Sequence, residues 1–128
     1  QPDVGTSLTL ETMLPAAAQG AIGIDHLAAR SELALFLQAV NHQATFAAVT
    51  AERAFLEALG GNCHSPVAAY ATCSSDKITL RGEILAEDGS ERHSAVLEFL
   101  AIDAEGPARL AQALLEKSSD RLRHLFTP

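Results

Sequence analysis

The sequence predicts a small α+β domain, a three-stranded antiparallel sheet covered on one face by helices. Three observations predict it. Ile78, Leu80, Gly82, Ile84 and Ala86 alternate strictly with Thr79, Arg81, Glu83 and Leu85, the period of a half-buried strand. Asp88-Gly89 follows at once and is a strong hairpin signal. Apolar stripes at helical spacing lie on both sides of this region, so helices are available to cover one face of the sheet.

The elements follow in order. Leu8, Leu10 and Thr12 alternate like a short strand, and Pro15 biases Leu14 toward extended backbone. Gly20 to Asp25 reads as a short buried strand between loops. Ser31 to Val40 reads as a helix capped by Ser31, with Leu33, Phe36, Leu37 and Val40 on one stripe. Asn41-His42 interrupts it. Thr45 to Leu59 is a second helix, rich in Ala and Glu, with Phe46, Val49, Leu56 and Leu59 on or near one face. Gly60-Gly61 ends it, because glycine tolerates the left-handed conformation that closes helices. Val67 to Cys73 suits a strand, and Ser94 to Ile102 a third after the hairpin. Pro107 fits a first helical turn, and Leu110, Leu114 and Leu115 make the stripe of a helix through about Lys117. Ser118 to Phe126 adds a short final helix.

Residues 42–128 therefore read as the α+β domain. Residues 1–41, a strand and helix with no sheet of their own, read as a piece of preceding α/β domains and a hinge. The chain begins without Met, a basic region or an apolar signal core, and reads as a fragment or a processed chain.

Composition narrows function. The chain has 128 residues, 48% of them apolar and only 5% aromatic, so a folded core must be built from Leu, Ala, Val and Ile. Sixteen acidic residues stand against 9 basic ones, a net charge of −7, which argues against nucleic acid as a partner. No run of roughly 18 apolar residues exists, so no transmembrane helix is expected. Cys63 and Cys73 are too few for a disulfide framework, and a reducing cytoplasm is the simplest setting. A metal site built from Cys63, His64 and Cys73 lacks paired ligand spacing. A Cys–His protease lacks its third orienting group. Cys73, inside a strand, reads as packing. Glu52 and Arg53 are helix neighbours that point different ways, so each is expected in structural ion pairs elsewhere. His26, His42 and His93 form no constellation.

Three segments, in order, carry a resemblance. Leu14 to Asp25 (LPAAAQGAIGID) is similar to the LPA-x-GQGA-x-GIE segment of the porphobilinogen deaminase (hydroxymethylbilane synthase) family. Thr50 to Leu56 (TAERAFL) resembles that family's T-AER helix. Leu59 to Ala71 (LGGNCHSPVAAYA) resembles its cofactor loop, and the spacing from Gln19 to Cys63 fits without insertion. The departures are Ala18 and Asn62, where glycine is common, and Asp25 as the carboxylate after Ile24. Asn62 itself tolerates unusual backbone angles.

The resemblance implies a transferase that joins four porphobilinogen units, releases ammonia and yields hydroxymethylbilane for haem and related tetrapyrroles. It implies a dipyrromethane cofactor bound through a thioether to Cys63. Gly61, Asn62, Gln19 and Gly20 are the further residues expected to bind that cofactor, with Gln19 near the cleft where domains meet. His64 is placed to lower the thiol pKa where it faces the sulfur. The catalytic aspartate and most substrate-binding arginines are expected upstream of this chain. Polypyrroles are strongly anionic, so the seven scattered arginines of a net −7 chain are not expected to run the reaction alone. The expected partners are porphobilinogen, polypyrrole intermediates and the remaining domains of a cytoplasmic enzyme that is monomeric when full length. The other class of function open to such a domain is a binding or interaction module with no catalytic role.

Overall fold

The alternation read in residues 78–86 becomes the central strand of an antiparallel meander. The computed structural model describes residues 4–60 and 65–126. Strands β1 (Val67–Ser74), β2 (Lys77–Leu85) and β3 (Arg92–Leu100) lie side by side in that order. The register stacks like with like. Ile78, Leu80 and Gly82 of β2 stand between Cys73, Ala71 and Ala69 of β1 and Phe99, Leu97 and Ala95 of β3. One face is thus apolar along its length, while Tyr70, Arg81 and Val96 share a row on the other. That second face is polar but not bare. Glu11 reaches Arg81 at 3.7 Å, and buried Glu83 accepts from Arg92 at 2.6 Å.

The β2–β3 turn forms at Asp88-Gly89 as the sequence requires, with Gly89 at φ +71. The Asp88 carboxylate accepts from the Ser90 hydroxyl and amide and pairs with Arg121 at 2.9 Å, which together hold it at about 2, against an ordinary 3.8. Next to the turn, Glu91 accepts from the Ser119 hydroxyl and amide and sits 2.8 Å from His93, and its carboxyl is likewise lowered from 4.5 to about 2. Both folded-state values lie below the unfolded ones. Their stabilisation is therefore present in full above the ordinary carboxylate range and is lost as the pH falls from about 4.5 toward 2. Melting temperature measured across that window should fall, and Glu91→Gln should flatten the fall.

Four helices accompany the sheet among the described residues: α1 (Ser31–Val40), α2 (Gln43–Ala58), α3 (Gly106–Lys117) and α4 (Asp120–Arg123). α2 lies over β1, α3 over β3, and the two pack on each other. The core between them centres on Phe55, Leu80, Ile84, Leu114 and Leu122, all fully buried. α2 starts at His42, whose ring nitrogen accepts from the Thr45 amide, a cap the sequence reading did not assign.

The face that α2 buries differs from the one its bulky residues suggest. Ala48, Ala51, Glu52 and Phe55 are buried, whereas Phe46 is 60% exposed and Val49 and Leu56 are half-buried. The two alanines let the helix approach β1 closely. Phe55 then fills the remaining depth over Gly82, where an added Cβ would stand 2.5 Å from the ring.

Two expectations for the first forty residues fail. No strand forms at Leu8–Thr12 or Gly20–Asp25, and Ile22 and Ile24 are exposed. A strand exists through ladder bonds to a neighbour, and among the described residues neither segment has one. α1 forms with the expected bounds, but Arg30 and not Ser31 occupies its N-cap, with no side-chain cap bond. None of its residues is buried, and Phe36 and Val40 of its apolar stripe are exposed.

Candidate functional site

The loop between α2 and β1 is anchored at both ends. Leu59 is buried at the helix end, and Gly60 turns the chain at φ +72. A Cβ at Gly60 would stand 2.4 Å from the Phe126 carbonyl oxygen, so glycine is required there by space as well as by conformation. At the exit, the Val67 amide donates to Ser65 and the Leu85 amide donates to the Pro66 carbonyl, which fastens the chain to the end of β2. Gly61, Asn62, Cys63 and His64 lie outside the described residues.

A second segment is bound to the same helix–strand seam. Leu14 is buried, and the Pro15 carbonyl accepts from the Ala69 amide at 3.1 Å. The chain then turns tightly, with the Gln19 and Ala21 amides donating to the Ala16 and Ala18 carbonyls. The Gln19 side chain folds back and accepts from the Ala16 amide at 3.2 Å, while Gln19 and Gly20 stand at the surface. Gly20 has φ +82 and open space where a Cβ would be.

Glu52 ties this turn to the sheet. Its carboxylate is buried, one oxygen accepting from the Ala18 amide and the other from the Ala71 amide, both at 2.7 Å. Pro15 and Glu52 together occupy amides along the outer edge of β1, an edge that would otherwise be an unpaired donor row. The expectation of an ion pair for Glu52 is not met among the described residues: its carboxylate accepts from two backbone N–H groups. Arg53, one residue on, points to solvent and makes no ion pair among the described residues. No local signal distinguishes these roles in the sequence. The only hint is that a glutamate at this position falls on the face marked by Ala48, Ala51 and Phe55.

Ala18 sits at φ +61, a conformation that costs an L-residue about 1 kcal/mol or more. Ala18→Gly should remove that strain while keeping the N–H that Glu52 accepts. The expected result is a stabilisation of up to about 1 kcal/mol, reduced by the greater freedom of glycine in the unfolded chain. Urea denaturation measures it, and a destabilised variant would contradict the assigned backbone.

The second thiol lies within the described residues. Cys73 is half-buried on the core-facing side of β1, and its Sγ donates to the Ser75 carbonyl at 3.7 Å. Positive charge is scarce. Arg30, Arg81, Arg92, Arg109, Arg121 and Arg123 each pair with a carboxylate of the same chain. Among the described residues no group of three metal-binding side chains converges. No helix among them is long and apolar enough to cross a membrane.

Residues 46–118 match the family model of the porphobilinogen deaminase C-terminal domain. The chain is 42% identical over 125 residues to the porphobilinogen deaminase of Sphingopyxis alaskensis, covering 97% of this chain and 39% of that protein. It is 48% identical over 101 residues to that of Neisseria meningitidis serogroup A, covering 79% and 30%. With that of Paracoccus denitrificans the identity is 40% over 113 residues, covering 88% and 34%. The chain thus spans roughly a third of the length of these relatives.

Proposed function

The chain belongs to the porphobilinogen deaminase family and corresponds to its C-terminal domain, and from that premise we propose that it tethers the dipyrromethane primer of a hydroxymethylbilane synthase through the sulfur of Cys63. When bound, that group supplies the pyrrole end on which porphobilinogen units are joined. The role of this chain is to present and hold it. Gly60 and Pro66 are anchored on either side of the segment that holds Cys63. Of the two thiols, Cys73 is held toward the core, a poor position for a bulky anionic adduct. The single observation that supports the reading is that Gly60, at the head of the segment that resembles the family's cofactor loop, ends the same helix whose Glu52 binds the Gln19 turn.

Charge assigns the rest of the work elsewhere. Carboxylate-rich substrate needs guanidinium groups that are free to accept it. Six of the seven arginines here already pair with carboxylates of the chain. In this reading the chain alone does not turn over porphobilinogen, and the catalytic aspartate and most of the cationic cradle come from further domains. Gln19 and Gly20, exposed at the turn, line the cleft those domains close, and the complete enzyme works as a cytoplasmic monomer. Peptide mass mapping of the full-length enzyme tests the tether: the peptide holding Cys63 should carry the dipyrromethane mass. An active enzyme with that peptide unmodified overturns the proposal.

One observation favours a second reading, a protein-interaction module. Leu35, Phe36 and Val40 on α1, with Ile22 and Leu27 before it, expose an apolar surface. An unmodified Cys63 in a chain that binds another protein and no pyrrole would favour it.

A further inference from the structure

We propose that Glu52 is a positioning residue of the pyrrole-handling site, a latch that fixes the Gln19 turn against the seam from which the Cys63 loop departs. The inference rests on the function proposed above for Cys63 and Gln19. A carboxylate that is 6% exposed and bonded only to backbone is unusual, because burying a charge is costly unless every acceptor is used. Here the two N–H donors come from parts of the chain with different prospects. Ala71 belongs to β1 and is held by its ladder to β2, where it pairs with Leu80. Ala18 belongs to a turn whose other backbone bonds are mostly internal, apart from that between Pro15 and Ala69. The Glu52–Ala18 bond is thus a principal tie that sets where Gln19 stands, with its donor at φ +61. The next residue carries the exposed side chain, so a shift of the turn moves Gln19 directly. α2 holds the latch, and the same helix delivers the chain to Gly60. One rigid rod therefore fixes the Gln19 turn and the start of the cysteine loop together.

The chemistry predicts an asymmetric response to Glu52→Gln. A glutamine has one acceptor oxygen, and that oxygen should stay with the immobile Ala71 amide. Its NH₂ group then faces the Ala18 N–H, donor against donor, and the turn is released while β1 stays formed. In the full-length enzyme, hydrogen exchange at the Ala18 amide should accelerate by about tenfold or more, with β2–β3 amides changed less than about twofold. The adduct on Cys63 should remain by mass. Turnover should fall by roughly tenfold to a hundredfold, with KM changed by less than about threefold, as expected when reacting groups are misplaced and not unbound. Glu52→Asp, which keeps both acceptors on a shorter arm, should recover part of the rate.

Unchanged exchange at Ala18 overturns the latch. So does acceleration spread evenly through the β2–β3 ladder, which would mark Glu52 as a general core residue. Normal turnover with a released Ala18 amide overturns its role in the reaction. The exchange measurement reads the same whether or not Cys63 is loaded, so failure of the latch and failure of the tether are told apart.

Discussion

Cys63→Ser in the full-length enzyme should abolish both the adduct and the activity, with turnover lower by at least roughly a thousandfold. Serine keeps the size and polarity of the site, so the loop between Gly60 and Pro66 should keep its anchors. What it lacks is a nucleophilic sulfur, since the thiolate is the reactive form of cysteine. Fold and chemistry should therefore separate cleanly. The melting temperature should change little, while intact mass loses the dipyrromethane increment. Cys73→Ser is the matched control. It removes a half-buried thiol packed against the core, so it should cost some stability and leave adduct and turnover in place. If activity instead followed Cys73, or survived in Cys63→Ser, the tether would have to lie elsewhere.

The largest effect on stability is expected from Phe55→Ala, a loss of about 3–5 kcal/mol. Phe55 has no exposed surface, and its ring lies directly over Gly82. The size of the loss depends on how far the surroundings can relax into the void. Here they can do little. The sheet position directly against the ring is Gly82, the flanking helix positions are Ala48 and Ala51, and β2 is pinned by strands on both sides. The cavity should persist, which places the cost in the upper part of the range. A domain of this size has a total stability of only about 5–15 kcal/mol, so the variant should unfold at a much lower urea concentration with a similar slope. A shift corresponding to less than about 2 kcal/mol would mean that the helix settles onto the sheet, and that the close approach of α2 is not enforced by its neighbours.

β2 was readable in the sequence because period-two alternation depends only on which face is buried, and its neighbours on both sides repeat it. The helix stops at Gly60 and the turn at Gly89 were readable for a local reason: both need a positive φ. The buried face of α2 was not. Bulk suggested Phe46 and Leu56, but the contact is set by what fits against β1, and small residues win where a helix must come close. The strands expected before residue 26 failed for a related reason, since alternation states a preference and a partner decides the outcome. The candidate site divides in the same way. Cys63 stood out through its resemblance, carried by the glycines and Pro66 around it, and nothing in composition would have marked it. Glu52 was hidden because its acceptors are satisfied by Ala18 and Ala71, 34 and 19 residues away. Contacts at that range leave no periodic trace in a single chain.

The carbonyl of Phe126 occupies the space beside Gly60, and the Phe126 ring is itself in the core. Protein engineers who shorten the domain ahead of Phe126 would therefore strip a wall from Gly60 and remove a ring from the core. Preparations intended for loading experiments are better kept intact through Phe126, so that a low yield of adduct reports on the sulfur and not on a lost support of Gly60.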